Sequence, residues 1–383
     1  MTGFSFLSTY PPTRCGLATF TEALATSMTL PGDPDARIVR VMDDIAQPAT
    51  AVVGTRSTIV AELDAVGEAD AAGIRSAARA LSASRVAVVQ HEYGIYGGAD
   101  GSDVIRVLEQ LTVPSIVVLH TVLDAPTEGQ RRVLDRVGQL ASAVVVMTET
   151  ARSLLTAHYA VDPRKVSLIP HGVAAWTASA TATPPARRTI LTWGLIGPGK
   201  GIEHGIRAMA ELGDSVPPVQ YLVVGQTHPR VLANDGDVYR ASLHALVAEL
   251  GVADRVRIDS NYLDAAQLAA RVRSADLVLL PYDSRNQVTS GVLVEAIAAG
   301  KPVVATAFPH AVELLTGGRG VVVPHENPHA IAEAVRAVLG RVASVEGTAA
   351  QLQPSNETSW PEVALRYREL ASSLTAERVE LSA

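Results

Sequence analysis

Cysteine is almost absent: Cys15 stands alone, so no intrachain disulfide can form. Lysine is nearly as scarce, with Lys165, Lys200 and Lys301 the only three. Acidic residues outnumber basic ones by 39 to 32, a net charge of −7. No overall field therefore draws the chain to nucleic acid or anionic lipid, and any phosphate site must be local. Charged residues are 19% of the chain and hydrophobic ones 48%, a balance that argues against disorder. No apolar run reaches membrane-spanning length. The opening segment carries Pro11, Pro12, Arg14 and Glu22 in place of an apolar stretch with a cleavage site. The expectation is a cytoplasmic protein without a transmembrane segment, with peripheral membrane contact and oligomeric state left open.

What is present is a repeating strand and helix pattern. At 383 residues the chain exceeds what one core usually supports, so two domains are expected. Apolar runs that read as buried strands recur at Phe4–Leu7, Arg37–Val41, Arg85–Gln90, Ser115–Leu119 and Ala143–Met147, with amphipathic stretches between them. A Thr/Ala/Ser segment ending in Pro184-Pro185 interrupts the alternation. It restarts with Thr189–Trp193, Gln220–Val224, Arg255–Asp259, Leu277–Leu280, Pro302–Ala305 and Gly320–Val323. A final amphipathic helix begins near Trp360, with Val363, Ala364, Tyr367 and Leu370 at helical spacing. The pattern predicts an α/β protein with two doubly wound sheets: residues 1–176, a linker at 177–188, residues 189–353, and a terminal helix in 354–383. Two such sheets facing one another enclose a cleft, and ligands bind beyond the carboxyl ends of the strands.

The strand ends are where the unusual residues cluster. The first strand runs through Thr13-Arg14-Cys15-Gly16 into a helix, a turn that offers free N–H groups to a ligand or is simply an ordinary βα connection. Cys15 as a nucleophile is the weaker reading, since no His or Asp adjoins it. Later strands end in His91-Glu92-Tyr93-Gly94 and in His120-Thr121; each histidine either binds a sugar hydroxyl or phosphate oxygen, or is a hydrogen-bonded strand-end residue. His171 precedes the linker, where a hinge role and a ligand role are equally open.

The second half opens with Gly194-Leu195-Ile196-Gly197-Pro198-Gly199-Lys200-Gly201. This satisfies the P-loop spacing up to the lysine, but Gly201 stands where that motif needs Ser or Thr for magnesium, so an NTPase is disfavoured. A glycine-rich turn with one lysine still suits a diphosphate without a metal. The most informative segment follows Leu277–Leu280: Gln287-Val288-Thr289-Ser290-Gly291-Val292 leads into a helix bearing Glu295 and ends at Gly300-Lys301-Pro302. Thr289-Ser290-Gly291 reads as a helix start able to take phosphate oxygens, and Glu295 as an acceptor for ribose hydroxyls.

Together these residues resemble family 4 glycosyltransferases of the GT-B fold, two facing Rossmann-like domains. The likeness runs through Gly16, His91, His120, His171-Gly172-Val173, Lys200, Ser290-Gly291, Glu295 and Gly300-Lys301-Pro302-Val303-Val304. The final helix resembles the family's helix that crosses back onto the first domain. The resemblance implies a retaining hexosyltransferase whose substrates are a nucleotide-diphosphate sugar and a hydroxyl acceptor, with no cofactor and no metal. It assigns the donor to Gly16, Gly199, Lys200, Thr289, Ser290, Gly291, Val292 and Glu295; the acceptor or sugar to His91, Glu92, Tyr93 and His171; and the reacting centre to His120, Lys200 and Gln287. The His-Glu-Tyr-Gly loop resembles mannosyltransferases, which favours GDP-mannose over UDP-glucose.

Two positions depart from the family. Leu195 replaces an arginine expected beside the leaving diphosphate, with Arg14, Arg240 and Arg285 as candidates to compensate. Gln287 replaces the first of two glutamates eight positions apart. An amide cannot be a carboxylate nucleophile, so a front-face displacement is expected, with the departing diphosphate oxygen helping to deprotonate the acceptor. A GT-B epimerase using Glu92 and Glu149, and a non-catalytic nucleotide-sugar sensor, remain the rival readings.

Overall fold

The structure, a computed structural model, describes residues 3–42, 56–174, 187–213, 218–316, 318–344 and 358–381. Their strands are β1 (Phe4–Ser8), β2 (Ala36–Met42), β3 (Ser57–Asp64), β4 (Val86–His91), β5 (Ser115–Leu119), β6 (Ala143–Val146) and β7 (Val166–Leu168), then β8 (Arg188–Trp193), β9 (Val219–Val224), β10 (Val256–Asp259), β11 (Leu277–Leu280), β12 (Val303–Thr306) and β13 (Val321–Val323). The chain divides into two compact units, Met1–Gly172 with Asn356–Ala383, and Val173–Ser355. The linker expected at 177–188 lies outside the described residues except for Arg187 and Arg188.

Unit 1 is built on a seven-stranded sheet in the order β3-β2-β1-β4-β5-β6-β7. Every pairing is parallel. Helices cover parallel sheets on both faces, which is why β4, β5 and β6 are buried along their whole length and read as unbroken apolar runs. The helix Trp360–Leu381 belongs to this unit: Val363, Ala364, Tyr367 and Ala371 join Phe6, Leu24, Ile38 and Val88 in one core. Burying a side chain the size of Val363 contributes about 1.5–3 kcal/mol. Gly172 makes room for this helix, since a Cβ there would fall 2.2 Å from the Trp360 ring.

Unit 2 carries a six-stranded parallel sheet, β10-β9-β8-β11-β12-β13. One face packs Ile190, Ile206, Tyr221, Leu277 and Val335; the other packs Leu191, Val278, Leu293, Ala305 and Phe308. In each sheet the strand order reverses beside the first strand, between β1 and β4 and between β8 and β11. Such reversals open a crevice at the carboxyl ends of the strands, the usual ligand position in open α/β sheets. Ser8 and His91 end the first pair; Trp193 and Leu280 end the second. No helix among the described residues is long and apolar enough to cross a membrane.

Candidate functional site

In unit 1, helix Gly16–Met28 is capped by Cys15, whose Sγ accepts the Ala18 N–H at 3.4 Å and lies 3.2 Å from Thr9 Oγ1. The thiol therefore serves the helix end. A Cβ added at Gly16 would meet nothing within 4 Å, so this helix start is open.

Two of the three candidate histidines, His120 and His171, gather against Phe20. Its ring centroid is 4.8 Å from that of His120 and 5.0 Å from that of His171, both edge-on. His120 Nε2 lies 2.7 Å from Gln90 Oε1, an arrangement that puts the proton on Nε2 and leaves Nδ1 as an acceptor. His171 Nδ1 bonds the Gly172 carbonyl at 2.7 Å, and its ring leans on Trp360. His91 is fully buried, with neither ring nitrogen hydrogen-bonded among the described residues. Burial holds His91 and His171 down to about 4 and His120 to about 3, the last also pushed by His171 and His91. All three are neutral at pH 7, so they offer hydrogen bonds to hydroxyls and no positive charge to a phosphate.

The remaining unit 1 candidates are engaged locally. The Thr121 hydroxyl donates to the Glu92 carboxylate, and Tyr93 Oη donates to the Gln130 carbonyl at 3.3 Å. Glu149 forms an exposed pair with Arg152 at 2.6 Å, a surface contact one turn apart.

In unit 2 the glycine turn after β8 is seated on the segment after β11. The Asp283 N–H donates to Gly199 O at 3.0 Å. Gly201 has φ +58°, and a Cβ there would fall 1.8 Å from the Pro281 carbonyl, so only glycine fits. This seating puts Lys200 Nζ over the Tyr282 ring, 4.4 Å from its centroid. Burial lowers the lysine pKa, and among the described residues no carboxylate pairs with it.

The helix Gly291–Ala298 begins beside the same turn, with Val292 Cγ2 3.8 Å from where a Gly194 side chain would start. Here the structure changes one expectation. The Ser290 N–H donates to His310 Nδ1 at 2.8 Å, and Ser290 Oγ accepts from Leu293 N–H, so Ser290 is a cap with its own amide engaged. The first-turn donors left for an anion are the Gly291 and Val292 amides. Gln287 Nε2 donates to the Thr289 carbonyl at 3.2 Å, and the Gln287 carbonyl accepts from His310 N–H at 3.3 Å, which draws 287–290 into a compact loop. The Thr289 hydroxyl is buried without a partner among the described residues. Glu295 Oε2 accepts from Trp193 Nε1 at 3.3 Å, and burial raises this carboxyl to about 7.

Of the arginines proposed to compensate for Leu195, Arg240 and Arg285 lie in this unit, each with a partner of its own. Arg240 is bound to the Gly225 carbonyl at 2.6 Å and to Thr227 Oγ1 at 3.1 Å, and Arg285 faces Glu326 at 3.4 Å. Arg14 belongs to unit 1. Beside Lys200, the side chains of Glu203, His204 and Asp283 bring three potential metal donors within 4.8 Å of one another. His204 Nε2 is 3.2 Å from Asp283 Oδ1, while Glu203 Oε2 accepts from the Tyr239 hydroxyl at 2.5 Å.

Sequence reasoning overlooked Trp193, Tyr282, His310 and Gln90. Each stands at or just past the carboxyl end of a strand, and that position was the available signal. It also overlooked the Glu203, His204 and Asp283 group, since Asp283 is remote in sequence from the other two.

Two family models match the two units in turn: one for glycosyltransferase family 4 over residues 36–175, and one for glycosyl transferases group 1 over 187–341. The chain belongs to glycosyltransferase family 4. Curated relatives of this family 4 chain include a D-inositol 3-phosphate glycosyltransferase of Segniliparus rotundus, 32% identical over 51% of this chain and 46% of the relative. A 2-deoxystreptamine glucosyltransferase of Streptomyces kanamyceticus is 30% identical over 43% of this chain and 42% of its own length. The matches thus span about half the length of these relatives. Among solved structures, HepE of Anabaena in complex with UDP and glucose superposes with a TM-score of 0.75 over 97% of this chain and all of that one, at 16% identity. The fold is GT-B, with two Rossmann-like domains.

Proposed function

We propose that this family 4 chain is a retaining hexosyltransferase that takes a nucleotide-diphosphate sugar as donor and a hydroxyl as acceptor. The observation that carries the reading is the convergence in unit 2 of a lysine on a glycine turn with no carboxylate partner among the described residues, two helix-start amides beside that turn, and a half-buried glutamate. Lysine and amides suit the two phosphates, and the Glu295 carboxylate suits a pair of ribose hydroxyls. Gln287, held by its loop, offers an amide to the sugar.

Charge developing on the departing diphosphate is met by Lys200 and by the Gly291 and Val292 amides, which strengthens those contacts in the transition state. No carboxylate stands at Gln287 to form a covalent intermediate, which supports displacement on the face the leaving group vacates. The neutral histidines of unit 1 suit the hydroxyls of an acceptor or of the transferred sugar. One relative named for glucosyl transfer and a neighbour solved with UDP and glucose support UDP-glucose, against the GDP-mannose favoured by the His91–Gly94 loop.

Incubation with each nucleotide sugar tests the proposal. Release of nucleoside diphosphate that accelerates when a hydroxyl acceptor is added is the expected result. Formation of an isomeric donor would make the chain an epimerase, and binding without turnover a sensor.

A further inference from the structure

The glycine turn after β8 fixes where a cation stands. Two backbone contacts clamp it to the segment after β11: Asp283 N–H to Gly199 O at 3.0 Å, and the close approach of Gly201 to Pro281 O. Lys200 and Tyr282 lie between these contacts on their respective segments, so the clamp determines that ammonium and ring meet. The ring itself cannot move aside: Tyr282 is 1% exposed and stacks on fully buried Phe308, with centroids 5.2 Å apart and planes inclined by 28°.

We propose that Tyr282 is a positioning residue for the donor diphosphate, its ring face holding the Lys200 ammonium in place and charged while leaving the N–H donors for phosphate. An ammonium taken from water without a carboxylate partner loses solvation. The negative face of an aromatic ring returns part of that loss without neutralising the charge. A carboxylate in the same place would compete with the phosphate for the lysine; a ring does not. Phe308 beneath the ring keeps it level, so the face that meets the Lys200 ammonium stays in place. This inference rests on the assignment of Lys200 to the diphosphate.

The test is calorimetry with UDP and with GDP on the full chain. Tyr282→Phe keeps the ring face and should bind within about twofold of the parent. Tyr282→Leu should weaken binding about fivefold or more. In a Lys200→Ala background the same leucine change should cost nothing further, since the ring then has no cation to hold. Because a leucine at a buried ring position can unfold the unit, a shape-preserving series is also used. Phenylalanines of increasing fluorination at 282 drain charge from the ring face, and affinity should fall stepwise along the series. A flat response, with Lys200→Ala still weakening the diphosphate, would overturn the role of Tyr282 alone. Unchanged affinity in Lys200→Ala itself would instead overturn the diphosphate site, and this inference with it.

Discussion

Replacing Glu295 by glutamine should stabilise the protein while weakening its grip on the donor, and the two effects should separate with pH. Burial lifts this carboxyl from 4.5 to about 7, with only the Trp193 indole opposing the shift. Between those values the unfolded chain has lost the proton and the folded chain keeps it. Folding then takes up a proton, and stability falls as pH rises until the folded carboxyl also ionises near 7. At about 1.4 kcal/mol per pH unit, the cost of the buried charge approaches about 3 kcal/mol above pH 7, and is smaller to the extent that water reaches the carboxylate. The glutamine variant carries no such cost. Its advantage should be nil near pH 4, grow through pH 5–7 and then level off. In urea it amounts to a midpoint about 1 M higher at pH 8. Trp193, which touches the carboxylate, contributes to the fluorescence signal of unit 2 together with Trp176. Calorimetry at pH 8 should show weaker binding of nucleoside diphosphate to the variant. Parallel stability curves for parent and variant across this pH range would refute the reasoning.

Lys200→Ala should keep its fold by circular dichroism and lose about 2–4 kcal/mol of transition-state stabilisation in donor turnover, the usual range for removing one such donor. Gln287→Ala should bind nucleoside diphosphate nearly as well as the parent but turn over slowly, whereas Glu295→Ala should weaken the diphosphate itself; equal losses of affinity would show that spacing alone does not divide the donor between them. Transfer should continue in EDTA, with Lys200 and the helix-start amides carrying the diphosphate charge. Strict dependence on added manganese or magnesium would reverse that expectation and direct attention to Glu203, His204 and Asp283.

Much of the fold was legible because buried parallel strands advertise themselves. Ser115–Leu119 and Leu277–Leu280 were read with the bounds they have, and the final helix was placed at Trp360. The strands that escaped notice lie at the two edges of the first sheet. β3 is exposed or half-buried along most of its length, so Ser57, Thr58 and Glu62 break its apolar pattern, and β7 has only three residues. At the site, sequence reading found residues on a continuous segment, such as Gln287 to Glu295. It could not find pairings made by the fold. Trp193 meets Glu295, Lys200 meets Tyr282 and Ser290 meets His310 only because β8, β11 and β12 lie side by side. The engagement of the Ser290 amide was hidden for the same reason.

The helix Trp360–Leu381 completes the core of unit 1 although it follows unit 2 in the chain. On the ribosome, the first sheet therefore emerges with an uncovered apolar seat, and that seat waits while the whole of unit 2 is translated. Unit 2 has its own core and can fold in the meantime. Unit 1 is thus the half exposed to chaperones and to premature association during synthesis. A chain released early, lacking Val363 and Tyr367, would present a folded second unit joined to an unfinished first one.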